Sequence, residues 1–297
     1  MQTEERNPNT YGLDRMSAYE IAARMNVEDQ TVPLVVARAL PQIAAAIEII
    51  AAALRAGGRL IYVGAGASGR TAVMDAVECV PTFNMPPDRV LALLAGGESA
   101  FTRSLELAED DADQGRQDLI ERNAGRGDVV VGIAASGRTP YVLGALAHAR
   151  AAGCTTIGIA SSAPSPLLEQ VDLAIPLVTG PEVIAGSTRL KAGTAQKLVL
   201  NMLSTGAMIR LGKVYSNLMV DVQAGNSKLL DRAARIVARV GGVEMARALE
   251  LLDLADRETK TAIVMARLGL DAPAARARLA EADGFLRTVI GDVDVDA

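Results

Sequence analysis

A chain of 297 residues is long enough for one large α/β domain and a smaller one, and its formal net charge of −5 argues against nucleic acid or an anionic membrane as partner. Half of the residues are hydrophobic, yet aromatics make up 3% and Trp is absent, so the core has to be built from Ala, Val, Leu and Ile. The two cysteines, Cys79 and Cys154, lack metal-type spacing and give little sign of a disulfide, which fits a reducing cytoplasm.

The polar N-terminus has no apolar stretch of the kind a signal peptide needs. Asn7-Pro8-Asn9 breaks any early helix, so an extended arm is expected before Ser17-Ala-Tyr-Glu20 opens a short one as a capping box. From Pro33 to Arg55 apolar residues recur at helical spacing until Gly57-Gly58. This most apolar region carries Arg38, Pro41, Gln42 and Glu48, and an Arg at a bilayer centre costs about 2.5–3.5 kcal/mol. It reads as a core helix, with no membrane involved.

A pentapeptide then occurs twice: Ala67-Ser68-Gly69-Arg70-Thr71 and Ala135-Ser136-Gly137-Arg138-Thr139. Each copy follows an apolar strand pattern (59–64 and 128–132) and leads into a helical one. A strand, small-residue turn and helix in succession aim free backbone N–H groups and the positive helix end at one point, with Ser and Arg alongside. That arrangement suits an oxyanion, most naturally a phosphate, and two copies suggest one ligand gripped twice or an old duplication. Gly64-Ala-Gly66-Ala-Ser-Gly69 matches the dinucleotide fingerprint literally, but the acid expected about 20 residues on, at the end of the next strand, is missing. No Gly-Lys-Ser/Thr follows, which removes a nucleotide-kinase loop. The plainer alternative, glycines that only let helix pack on strand, stays open for either loop alone.

Further along, a helix over 69–80 ends at Pro81, a strand covers 90–94, and an acidic helix is expected over 99–122. Strands follow at 128–133, 155–159 and 173–178, then a long helix over 187–211 opened by Ser187-Thr188 and bearing Lys191. Strands alternating with helices, each strand almost continuously apolar, predict a parallel sheet covered on both faces, with ligand beyond the carboxyl ends of the strands. Near residue 225 the texture changes to Ala, Arg, Glu and Leu, broken at Gly241-Gly242 and Pro273, which predicts a small helical appendage whose last dozen residues fray.

Glu78 lies among Val73, Met74, Val77, Cys79 and Val80; an apolar setting disfavours its charged form and would make it a proton donor, unless it simply reaches solvent. Glu109 sits in the acidic run 106–113, which by itself reads as a solvated face. His148, the single histidine, has no clustered partner and reads as packing or surface, which leaves carboxylate chemistry.

With these residues laid out, the chain resembles the N-acetylmuramic acid 6-phosphate etherases, a branch of the sugar isomerase (SIS) superfamily that also contains the glucokinase regulatory protein. The resemblance rests on Gly58 through Gly66 with Ser68-Gly-Arg70, on Glu78-Cys79 with Pro81-Thr-Phe83, and on Ala95-Gly-Gly-Glu98. It continues in Asp128 through Tyr141, Gly180-Pro-Glu182, Gly186 through Lys197, and Asn217-Leu-Met-Val-Asp221. It implies an α/β fold, a three-layer SIS domain on a five-stranded parallel sheet, with a small C-terminal helical domain. The implied division is an arm and helices over 1–55, a sugar-phosphate-binding domain over 56–225, and helices over 226–297.

The resemblance further implies a lyase that removes the D-lactyl group of N-acetylmuramic acid 6-phosphate, in the amino-sugar recycling of peptidoglycan. Its proton donor falls on Glu78 and its second catalytic acid on Glu109. The phosphate cradle falls on Ser136, Gly137 and Thr139, and the sugar end on Ser68, Gly69 and Arg70, with Glu182 and Lys191 as further binding residues. No cofactor or metal is implied; a cytoplasmic homodimer is. An isomerase using Glu182 as base, or a non-catalytic sugar-phosphate sensor, are the alternatives. Ala67, Thr71-Ala72, Val80, the loop 160–164 and Gly225 depart from the family pattern and bear on substrate range.

Overall fold

The computed structural model describes residues 2–293. The N-terminal arm is three short 3-10 turns, Gln2–Glu4, Pro8–Thr10 and Leu13–Arg15, followed by α1 (Ala18–Asp29), whose Ser17–Glu20 capping box is fully formed. The apolar stretch expected as one helix is two, α2 (Val32–Arg38) and α3 (Leu40–Arg55). Pro41 has no N–H to give the carbonyl of Ala37, so the ladder is interrupted there and restarts. Among the described residues no single helix is long and apolar enough to cross a membrane.

The central elements are β1 (Leu60–Gly64), α4 (Gly66–Phe83), β2 (Val90–Leu94) and α5 (Ser99–Thr102). Then come a 3-10 turn Glu106–Asp110, α6 (Ala112–Glu121), β3 (Val129–Ile133) and α7 (Pro140–Ala151). β4 (Thr155–Ala160), α8 (Pro166–Glu169), β5 (Leu173–Pro176) and α9 (Lys191–Arg210) complete the series. All neighbouring strands are parallel, in the order β2-β1-β3-β4-β5. Ile61, Val63 and Val130 pack with Leu119 of α6, Val142 and Leu146 of α7 and Leu167 of α8 on one face. On the other, Tyr62 donates its hydroxyl to Asp75 of α4, which also receives Ser204 of α9, while α3 lies along β1, β3 and β5. The expected three-layer α/β/α arrangement is present.

Two further sequence expectations fail locally, the first for an identifiable reason. The acidic stretch 99–122 is not one helix, because Arg70 draws off the carbonyls of Ala100, Phe101 and Arg103 (2.9–3.1 Å) and Asp111 caps α6 afresh by accepting from Gln114 N–H at 2.8 Å. α4 runs two residues past Pro81.

The described chain falls into two compact units, one of residues 2–76 and 88–204, the other of 77–87 and 205–293. α4 and α9 thus each contribute to both. The second unit contains α10 (Ser227–Gly241), α11 (Met245–Leu254), α12 (Thr259–Leu268), α13 (Ala272–Glu281) and α14 (Leu286–Ile290). Its core gathers Ile236, Val237 and Val240 with Leu251, Leu252, Ile263 and Val264. Asn226 caps α10, left-handed Gly242 ends it, and Pro273, in the first turn of α13, marks the expected break after α12. Within the stretch expected to fray, α14 is formed; residues 294–297 lie outside the described residues.

The sheet is clamped at the amino ends of its central strands. Arg59, before β1, meets Asp128, before β3, through Nε at 3.1 Å and Nη2 at 2.6 Å, and its own N–H adds a bond at 2.9 Å. Burial alone would raise the Asp128 carboxyl, but the Arg59 guanidinium and the Gly125 N–H prevail and hold it below the usual carboxylate range. A depressed carboxylate stabilises the fold above its unfolded pKa of about 3.9 and loses that contribution as pH falls through the folded value. Asp128→Asn is expected to cost about 2–3 kcal/mol at pH 7, between an exposed and a buried pair, and to flatten the loss of stability below about pH 4. Urea melts of both proteins across pH 2.5–7 check this; parallel acid limbs would reject the clamp.

Candidate active site

In the order β2-β1-β3-β4-β5 the chain reverses direction across the sheet between β1 and β3, and a crevice opens beyond the strand ends at such a switch point. Gly64 pairs with Ile133 at those ends, so the two pentapeptides that follow are brought side by side. The loops after β2 and β4 flank them, with Glu98 and Ser161 on the same edge.

The identical pentapeptides adopt different shapes. Residues 67–71 are the first turns of α4, with Thr71 Oγ1 bonded to the Ala67 carbonyl at 2.9 Å. Residues 135–139 form an open loop, in which Gly137 is left-handed (φ +66°) and Ser136 Oγ accepts from the Arg138 N–H at 3.2 Å. The residue after each copy decides the difference: Ala72 extends a helix, while Pro140 forbids the α conformation to Thr139, which sits at φ −56°, ψ 114°. The second copy is therefore a bay of turned backbone, as an anion cradle requires. In the first copy Gly69 has a packing duty, since a Cβ there would lie 2.6 Å from the Gly64 carbonyl oxygen and 2.5 Å from Leu94 Cδ1. The packing reading left open for the glycines thus applies to the first loop. Arg70 spends its guanidinium on backbone carbonyls that fix the segment carrying Glu98.

Three hydroxyls lie outside the set assigned from sequence. Ser161, Ser162 and Ser165, in the loop after β4, are buried with no partner for their oxygens among the described residues. This loop is tied to the second pentapeptide by Ser161 N–H to the Ala135 carbonyl (2.9 Å) and Leu167 N–H to the Gly137 carbonyl (3.0 Å). A Cβ on Gly137 would fall 2.3 Å from Ser165 Oγ, so glycine is required there by contact as well as by φ. The sequence signal was a serine-rich loop directly after a strand.

Glu78, in the second unit, is exposed beside Val77, itself 60% exposed; the apolar residues expected to desolvate it do not do so in a single chain. Glu109, in the first unit, lies in the 3-10 turn that packs on α7, the helix opened by the second loop. Partial desolvation, then the negative charges of Asp110 and Glu106, raise its carboxyl above the ordinary range.

Glu182 and Lys191 are both buried and committed. The Glu182 carboxylate accepts the N–H groups of Lys191 and Ala192, each at 2.9 Å, and so holds the positive end of α9. Lys191 Nζ meets Glu28 at 2.6 Å, and Glu28 also accepts from Asn7 and Asn9, which locks the N-terminal arm to α1 and α9. Burial would raise the Glu28 carboxyl, yet Lys191 and the two amides hold it low. Lys191→Met should leave that carboxylate buried and unpaired and cost about 3–5 kcal/mol. Thermal unfolding measures the loss; a Tm unchanged, with anion affinity reduced instead, would assign Lys191 to ligand binding.

Comparison with known proteins agrees with this geometry. Residues 42–150 match the glucokinase regulatory protein N-terminal SIS domain and residues 112–206 the SIS domain. The solved structure of E. coli CFT073 c3406 is similar in fold, with a TM-score of 0.50 at 17% identity, covering 68% of this chain and 97% of that one. Among curated relatives, the N-acetylmuramic acid 6-phosphate etherase of Serratia proteamaculans (strain 568) is 54% identical, and that of Salmonella typhimurium 51%, each over 97% of both chains. At that identity over nearly the full length, the chain belongs to the N-acetylmuramic acid 6-phosphate etherase family.

Proposed function

We propose that this chain cleaves the D-lactyl ether of N-acetylmuramic acid 6-phosphate, giving N-acetylglucosamine 6-phosphate and D-lactate. The observation that carries the reading is 54% identity over 97% of both chains with an etherase. In the ring-opened sugar the C2 proton is α to an aldehyde and the lactyl ether at C3 is a β leaving group. A base takes the C2 proton, the C2–H electron pair forms the C2–C3 double bond, and the C3–O bond breaks as an acid protonates the departing lactate oxygen. Water then adds at C3 and a proton returns to C2.

Two carboxyl groups of different pKa suit these two duties. Glu78 is assigned as the acid at the ether oxygen and Glu109 as the base at C2. The bay of Ser136, Gly137 and Thr139 takes the phosphate on its N–H and hydroxyl groups. Ser68 and Gly69, at the start of α4, face the sugar, and Arg70 holds the neighbouring loop. The exposure of Glu78 and Val77 supports a homodimer in which a second chain supplies the apolar cover. The reducing cytoplasm fits two buried cysteines that are not joined in a disulfide. An isomerase using Glu182 as base is disfavoured, because both oxygens of that carboxylate are held by α9.

The test is release of D-lactate from N-acetylmuramic acid 6-phosphate. Wild type should turn over, Glu78→Ala should lose at least about 100-fold in kcat as expected for removal of a general acid, and Ser136→Ala should act mainly on KM. If Glu109 is the base, kcat/KM should fall on the acid side along a limb above the ordinary Glu value of about 4.3, and Glu109→Gln should abolish it. Undiminished turnover in Glu78→Ala would sink the assignment.

A further inference from the structure

The second unit holds a cavity of about 580 Å3, walled by Asn84, residues 221–225, the turn 256–258, the first turn of α12 and Arg276 of α13. That size accommodates a small metabolite. The positive end of α12 opens on it. Its N-cap residue, Glu258, offers no side-chain cap to the helix, because its carboxylate is taken by Thr261 Oγ1 at 2.7 Å and Arg276 Nε at 2.8 Å. The first intrahelical bond is Ala262 N–H to the Glu258 carbonyl, so the N–H groups of Thr259, Lys260 and Thr261 have no acceptor within the helix. Independently, the Thr259 hydroxyl is unpartnered among the described residues in a side chain only 2% exposed.

The wall carries three acids, Asp221, Asp256 and Glu258, and three bases, Arg257, Lys260 and Arg276, and Lys213 stands behind Asp221 outside the lining. Asp256 and Glu258 are both paired with Arg276, at 2.7 and 2.8 Å. Asp221 is shared between Lys213 at 2.8 Å and Lys260 at 3.1 Å. That leaves Arg257 without an ion pair among the described residues, on a left-handed backbone at φ +65° directly before the helix. Burial pulls the Lys260 ammonium below its ordinary range, against the attraction of Asp221. Arg257, outside any ion pair among the described residues, therefore stands beside three N–H groups without an acceptor and a buried hydroxyl.

We propose that this cavity binds the phosphate ester of a small polyol, with the phosphoryl oxygens on the N–H groups of Thr259–Thr261 and on Arg257. Three N–H groups and a guanidinium around one point suit a tetrahedral oxyanion with three terminal oxygens, whereas a planar carboxylate would leave donors unused. The backbone of residues 221–225 and Asn84 offer donors and acceptors for the polyol hydroxyls. Its phosphate donors, the N–H groups of Thr259–Thr261 and Arg257, are none of the residues assigned to the etherase reaction, although Gly225 of the wall is one of the positions where the chain departs from the family pattern.

The test uses the full chain, 15N-labelled, titrated at constant ionic strength with inorganic phosphate, glycerol 3-phosphate and acetate. Saturable shifts of the Thr259, Lys260 and Thr261 amides are expected with both phosphates, tighter with glycerol 3-phosphate, and absent with acetate. They should persist in Ser136→Ala, and the affinity should weaken by about tenfold in Arg257→Gln, as for one charge-assisted hydrogen bond. Thr259→Val, which keeps the side-chain shape, should weaken it as well. Amides that stay still while those of residues 137–139 saturate would overturn the site. So would shifts unaltered in Arg257→Gln, equal responses to acetate, or equal affinity for the ion and the ester.

Discussion

The pairing of β1 with β3 is the constraint on which everything else rests. Those two strands are separated by a complete crossover through α4, β2, α5 and α6, so their register is not set by a turn. The bidentate contact of Arg59 with Asp128 sets it at the amino ends, strengthened by Arg59 bonds to the carbonyls of Arg122 (2.8 Å) and Asn123 (3.0 Å). A parallel ladder carries that alignment five residues along to Gly64 and Ile133. A slip of one residue would turn Ile61 and Val130 out of the core and separate the two loops. The clamp lies at the far end of the strands from the loops it aligns, so fold stability and ligand chemistry can be altered independently.

Much of this was legible in the sequence because it depends on local patterns. Apolar runs of five residues gave the strands, the Ser17 capping box gave α1, and the duplicated pentapeptide marked the switch point. The different shapes of the two copies are set by Pro140 and Ala72, a backbone restriction acting one residue beyond the repeat. The breaks at Ala39 and at residues 103–111 were missed for another reason. One follows from a missing Pro41 donor inside an otherwise helical pattern, the other from Arg70, 30 residues distant, competing for helix carbonyls.

The candidate site divides in the same way. Ser136, Gly137 and Thr139 could be picked out because their residue types and position after a strand carry the chemistry. Glu109 could not be told from its acidic neighbours without the family resemblance; what the fold adds is a carboxyl raised by partial desolvation and by the charges of Asp110 and Glu106. The family resemblance makes Glu182 and Lys191 binding residues. In the fold they close a buried network of Glu28, Asn7 and the start of α9, a long-range pairing that no spacing rule reveals. The reverse holds for Ser161, Ser162 and Ser165, whose unpaired oxygens become conspicuous only once the surrounding backbone has taken its partners elsewhere.

The first unit presents two small-residue loops at one edge of its sheet. The central claim is that an elimination occurs there, beginning with loss of the C2 proton. Its most direct test is to incubate the protein with N-acetylmuramic acid 6-phosphate in deuterated water and follow the sugar by proton NMR. The account requires D-lactate to appear with deuterium at C2 of the N-acetylglucosamine 6-phosphate formed. Lactate released with the C2 proton fully retained would mean direct displacement at the ether, and no lactate at all would mean that this fold holds its sugar phosphate for some other purpose.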